Sequence, residues 1–229
     1  MMRFFARLVM LLGVTTAFGV TTLFAQTPST ATPIDAGYAE LTFGPTFGHK
    51  ASASVGGEAG YWLTGPDDGM IQRLGIFGEA GVMNNVATSA IEAKAKKIAD
   101  TIAATAKAKQ RAAYFDGGVI ARFPAHDRFT PYALFGLGAA RVSNKTAFAV
   151  NGTTLTASQL VQQGVQVGSD LSGSYTKLFV TVGGGAHVAV TGRWIADISY
   201  RYGRILRDAS TESAGINTNR LQFGIGAKF

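Results

Sequence analysis

Three side chains late in the chain have the types of a hydrolytic triad: His187, Asp197 and Ser199. A histidine held between a hydroxyl and a carboxylate is the arrangement that makes serine a nucleophile. Here no nucleophile elbow surrounds Ser199, and no glycines are spaced to hold an oxyanion. The three also share one face of two neighbouring extended stretches. The favoured reading is therefore a hydrogen-bonded group in an interior, with no catalytic residue. The glycine clusters "GGEAG" and "TVGGGAH" lack the following Lys-Ser/Thr and helix of a phosphate loop, so no cofactor is expected. There is no cysteine, which excludes disulfides and thiolate metal sites.

The other residues able to do chemistry are charged, and they fall into two sets. The first alternates with apolar residues: Glu40, Glu58, Arg73, Glu79, Asp116, Arg122, Lys177, Asp197, Arg201 and Lys228, five acidic and five basic. A pore selective for one sign of ion would line itself with the other sign. A balanced set predicts ion pairs satisfying one another, among them Glu40 with Lys228. The second set lies in "SAIEAKAKKIADTIAATAKAKQRAA", residues 89–113. Ile91, Ala95, Ile98 and Ile102 recur there at helical spacing. The bases Lys94, Lys96, Lys97, Lys107, Lys109 and Arg111 outnumber Glu92 and Asp100. The segment predicts a basic amphipathic helix that leans on a phosphate-rich surface or crosses a barrel mouth. "TASQLVQQGV" predicts a second, neutral helical turn.

Period two dominates everything around these segments. It runs through "GYAELTFGPTFGH", "ASVGGEAGYWL", "RLGIFGEAGVM", "YFDGGVIARF", "PYALFGLGAA", "KLFVTVGGGAHVAV", "RWIADISYRYG" and "RLQFGIGAKF", eight stretches in all. Their length of roughly nine to eleven residues crosses a bilayer when tilted. One face is apolar; the other is Gly, Ser and Thr with isolated charges. A sandwich buries its apolar face and shows a charged one. A small membrane barrel reverses this, with lipid outside and small or paired polar residues in the lumen. Lipid offers backbone groups no hydrogen-bond partner, so the last stretch must pair with the first. Phe47, Tyr61, Phe123, Trp194, Tyr202 and Phe229 sit near strand ends, where interfacial aromatics belong.

The connections after stretches two, four and six are short ("TGPDDGM", "PAHDRFT", "TGR"). Those at 84–112, 142–176 and 205–219 are long, while "KASA" after the first is short. The N-terminus carries Arg3 and Arg7 before an apolar run, which reads as a signal peptide over 1–25, with a flexible tether at 26–35 and the barrel domain at 36–229. Hydrophobic residues make up 47% against 15% charged, few charges for a soluble domain, and the net charge is +7. The charge points to anionic surfaces; no basic motif with interleaved aromatics marks a nucleic-acid partner.

Topology, strand period and the terminal aromatic together resemble the OmpA/OmpX-like family of eight-stranded outer-membrane β-barrels, including opacity-type surface proteins, over residues 36–229. The resemblance implies an all-β, antiparallel, up-and-down transmembrane barrel in the bacterial outer membrane, with a helical insertion in an extracellular loop. It also implies that Phe229 is the assembly signal read by the barrel-assembly machinery. The expected function is structural and surface-interactive, with extracellular loops touching lipopolysaccharide or an external protein partner. The alternative is a lipid A-modifying enzyme or a narrow pore.

Overall fold

The computed structural model describes residues 37–63, 73–123, 128–168, 171–206 and 215–229. The signal peptide at 1–25, the tether at 26–35, the turn "TGPDDGM" and the start of "PAHDRFT" lie outside the described residues. The described residues form nine strands: β1 (Gly37–Phe47), β2 (Ser52–Trp62), β3 (Leu74–Met83), β4 (Thr105–Arg122), β5 (Phe129–Val150), a two-residue β6 (Thr153–Thr154), β7 (Gly173–Thr191), β8 (Trp194–Ile205) and β9 (Ile216–Lys228). Among the described residues two helices, α1 (Ser89–Thr101) and α2 (Ala157–Gln162), fill connections. No described helix is long and apolar enough to cross a membrane.

The eight long strands close into one antiparallel barrel. Each pairs with its neighbour in the chain, β4 with β5, β5 with β7, and β9 with β1. Closure follows from hydrogen-bond accounting, since an open edge would leave a row of backbone groups unpaired in lipid. At the seam Leu41 lies opposite Ile225, and the terminal residue exchanges both backbone bonds with Gly37 (2.9 and 3.0 Å).

The barrel is inverted relative to a soluble domain. Leu41 is 69% exposed and Phe115 64%, whereas Arg201 and Arg220 are fully buried. Such a surface is stable only where the medium is apolar. Exposed Tyr61, Phe123, Phe129, Trp194 and Phe229 gather at the end carrying the short β7–β8 turn. That end also carries the chain terminus, and it is the periplasmic rim of the expected orientation. At the opposite rim outward-facing Tyr200 and Tyr202 donate to Asn219 (2.7 Å) and Asn217 (3.0 Å). Tyrosine there keeps its ring in the apolar band and its hydroxyl in a polar layer.

Two sequence expectations need correction. The helix of 89–113 stops at Thr101, and β4 already begins at Thr105. Likewise β5 runs to Val150 and β7 starts at Gly173, so much of the expected loop at 142–176 is strand. The segment 104–113 reads equally well at either period, because Ala fits both. What decides is pairing: Thr105 to Ala113 lie opposite Ala149 to Arg141 in unbroken register. Lys107, Lys109 and Arg111 are therefore strand residues, not helix residues.

The helix that remains is capped by Thr88, whose hydroxyl accepts from the Ile91 amide (3.4 Å). Its stripe of Ile91, Ala95 and Ala99 is buried against Ala108 of β4, Phe148 of β5, and Leu160 and Leu171 of the β5–β7 connection. These partners include the inward faces of β4 and β5, so α1 folds over the mouth and its apolar stripe is covered by protein. The short α2 carries a capping box between Thr156 and Gln159 and matches the expected second helical turn.

Candidate functional site

The lumen is built in layers. Near the periplasmic rim Tyr38, Trp62, Phe77, Ile120, Tyr132, Leu134 and Ile195 form an apolar cluster. Towards the outer rim Met83, Val86, Ala112, Tyr114, Ala140, Val142, Phe179, Ile205 and Ile216 form another. Polar side chains from opposing walls meet between them.

Glu79 of β3 is the hub of that polar layer. It accepts from Arg201 Nη1 (2.9 Å), Arg220 Nη1 (2.8 Å), Arg220 Nη2 (3.3 Å), Gln222 Nε2 (3.0 Å) and the Tyr114 hydroxyl (2.6 Å). Arg201 also bonds Glu58, and Glu58 accepts from the Tyr38 hydroxyl (2.6 Å). Arg220 donates to the Tyr114 hydroxyl and lies 4.5 Å from that ring's centre. A carboxylate between two guanidinium groups, with neutral donors on its remaining lone pairs, is the geometry a buried charge requires. The contacts tie β1, β2, β3 and β4 to β8 and β9 across the barrel.

The expected lumen residues are thus placed unevenly. Glu58, Glu79 and Arg201 meet in one network. Asp197 accepts from the Tyr132 hydroxyl (2.8 Å). Asp116 is buried, and Arg122 lies over the Trp62 ring at 4.8 Å near the rim. Lys177 is half-buried by Tyr175. Arg73 is exposed just before β3 and belongs to no lumen layer, because the strand starts one residue later. The expected Glu40–Lys228 ion pair is not a directly opposed pair on the strands. Glu40 is opposite Gly226 while Lys228 is opposite Tyr38, and neither Glu40 oxygen has a hydrogen-bond partner. Sequence reasoning missed Arg220, although it lies two residues before Gln222 on the same inward parity.

The triad is not assembled. Ser199 Oγ has no hydrogen-bond partner, and His187 Nε2 stands 3.8 Å from Asp197 Oδ2, beyond hydrogen-bond reach.

A second candidate lies on the outside. Beyond the apolar band, β4 turns Lys107, Lys109 and Arg111 outward, and the paired stretch of β5 turns Arg141 and Lys145 outward; all are exposed. Lys109 and Lys145 are directly opposite. Like charges in that position destabilise a strand pair. The interleaved outward residues are Thr105, Ala113, Ser143 and Ala147, so this stretch of ribbon carries no acid. The other expected bases, Lys94, Lys96 and Lys97, sit on α1, where Lys96 pairs with Asp100 (3.0 Å); Glu92 of the same helix is bonded to Lys50 and to His49 (3.1 Å).

The hydrogen bond from Lys50, helped by His49, holds the Glu92 carboxyl below the usual carboxylate range. A depressed folded value stabilises above the ordinary carboxylate pKa of about 4.3 and is lost as pH falls through the folded value. The protection factors of amides in the first turn of α1 should therefore fall as the pH drops from the ordinary carboxylate range through the lowered Glu92 value, and Glu92→Gln should remove the step.

A family model described as "Outer membrane protein beta-barrel domain" matches residues 10–229. Among solved structures the chain is similar to Neisserial surface protein A, at 16% identity over 84% of this chain and 96% of that one, with a TM-score of 0.46. It is similar to the attachment invasion locus protein Ail of Yersinia pestis at 13% identity, over 85% and 99% of the two chains, with a TM-score of 0.44. It is also similar to the N-terminal β-barrel domain of Pseudomonas aeruginosa OprF at 14% identity, over 85% and 98%, with a TM-score of 0.46. No curated protein sequence matches the chain.

Proposed function

Because the chain belongs to the outer membrane protein beta-barrel domain family, we propose that it is a non-enzymatic surface-interaction barrel whose basic ribbon binds the phosphates of lipopolysaccharide. The observation that carries this reading is the Lys109–Lys145 pair with Lys107, Arg111 and Arg141 around it. Two facing ammonium groups repel, and a phosphate between them turns that repulsion into two attractions. Their height fits the ligand: the apolar faces of β4 and β5 end at Phe115 and Ala139, and the bases begin at Arg111 and Arg141. A lipid whose phosphates cap its acyl chains presents charge at that level.

The test is titration of lipid A into the folded barrel in zwitterionic bicelles. Each base near an anionic surface contributes about 1 kcal/mol, so Lys107→Gln, Lys109→Gln and Arg111→Gln together should weaken binding by roughly two orders of magnitude at low salt. Lys96→Gln with Lys97→Gln on α1 should change it little. Equal binding of dephosphorylated lipid A, or equal losses in the two variants, overturns the proposal.

For Phe229, the reading is an address for the barrel-assembly machinery. Its ring is exposed at the rim while its backbone closes the seam. Phe229→Ala keeps those backbone bonds, so it should slow insertion in cells and leave the unfolding midpoint of assembled barrels unchanged. Wild-type insertion rates would refute the address.

A further inference from the structure

Beside the Glu79 network, three buried side chains converge. They are Glu40 of β1, His187 of β7 and Asp197 of β8, and one ligand atom from each lies within 4.8 Å of the others. His187 Nε2 is 3.8 Å from Glu40 Oε2 and 3.8 Å from Asp197 Oδ2. The side chains of Glu40 and Asp197 are fully buried and that of His187 is 5% exposed. Both Glu40 oxygens, Asp197 Oδ1 and His187 Nε2 have no hydrogen-bond partner. An imidazolium serving two carboxylates would donate to one of them at hydrogen-bond distance, and this one does not.

From this geometry we infer that Glu40, His187 and Asp197 form a binding site for a divalent first-row transition ion of the Zn2+ class. One imidazole nitrogen with carboxylate oxygens suits that class, whereas Ca2+ and Mg2+ prefer oxygen ligands throughout. Bonds of about 2.0–2.2 Å place ligand atoms roughly 3.0–3.6 Å apart, so the two 3.8 Å separations from His187 close by a few tenths of an ångström, while the two carboxylates, within 4.8 Å of each other, draw together around the ion. Two carboxylates neutralise the ion's charge. Space for it is kept by Gly224 of β9, the strand between the two carboxylates. A Cβ there would lie 2.9 Å from Asp197 Cβ and 3.0 Å from Glu40 Oε2. The ring of His187 is held between Tyr38 and Tyr132, each centroid 4.7 Å away. Tyr132 fixes Asp197 through its hydroxyl, as outer-sphere partners of metal ligands do. Joined through an ion, Glu40 and Asp197 clamp the closing seam across β9.

The test uses Co2+ as a spectroscopic probe, added to the full-length folded barrel during and after refolding. About one Co2+ per barrel should bind, with a ligand-field band that Zn2+ displaces and Mg2+ does not. His187→Gln and Glu40→Gln should each weaken binding at least about tenfold, in the range of losses that ligand-sphere changes produce. The chain has three histidines, so a His49→Ala/His126→Ala variant leaves His187 as the sole imidazole. That variant should keep the band and show one nitrogen ligand by X-ray absorption, whether or not the site variants fold. Absence of saturable binding, or its loss in the His49→Ala/His126→Ala variant, overturns the proposal.

Discussion

Glu79→Gln is expected to lower the stability of the folded barrel more than any other conservative substitution in the lumen. The carboxylate is fully buried and bonds two guanidinium groups, an amide and a phenol. Glutamine keeps the volume and removes the charge. Arg201 retains Glu58, but Arg220 is left with the Tyr114 hydroxyl and ring contacts to Tyr114 and Phe179. An uncompensated buried charge of this kind costs about 3–5 kcal/mol. Denaturant unfolding in lipid vesicles, followed by the fluorescence of Trp62 and Trp194, measures it. Arg220→Met on the Glu79→Gln background should restore much of the loss, because removing both partners avoids the orphaned charge. A Glu79→Gln barrel within about 1 kcal/mol of wild type would mean that water reaches the network and screens it.

The extent to which this arrangement was legible in the sequence follows from what a two-residue period encodes. Period fixes the face of each side chain, so the inward placing of Glu58, Glu79 and Arg201 could be read directly. It does not fix height. Arg201 meets Glu58 across 143 positions of sequence and Arg220 meets Glu79 across 141, contacts set by the stagger of strands around the ring. The same stagger brings Glu40 beside His187. Arg220 went unread because it opens the last stretch, where a charged residue looks like a strand boundary. Local composition around Lys107, Lys109 and Arg111 favours helix. A partner strand some forty residues away overrides that preference.

The ribbon yields the sharper test of function, because two readings of its charge predict opposite signs. Lys109 and Lys145 face each other outside the apolar band, so Lys109→Glu converts a repulsive cross-strand pair into an attractive one. If the bases exist only to solvate an exposed ribbon, this substitution improves the ribbon everywhere. If they bind phosphate, it stabilises the ribbon in zwitterionic detergent by a few tenths of a kcal/mol to about 1 kcal/mol, and weakens binding to lipid A. Reversal removes one favourable charge and adds an unfavourable one, about 2 kcal/mol or well over tenfold in affinity at low salt. Because these charges are exposed, the loss should shrink as salt shortens the screening length. Amide exchange of Lys107 to Arg111 reports the first effect and lipid A titration the second. Slower exchange together with unchanged lipid A affinity would leave the ribbon without a phosphate-binding role. Slower exchange with a salt-sensitive loss of affinity is the expected result, since one pair of side chains then accounts for both the strain in the empty ribbon and its relief on the outer leaflet.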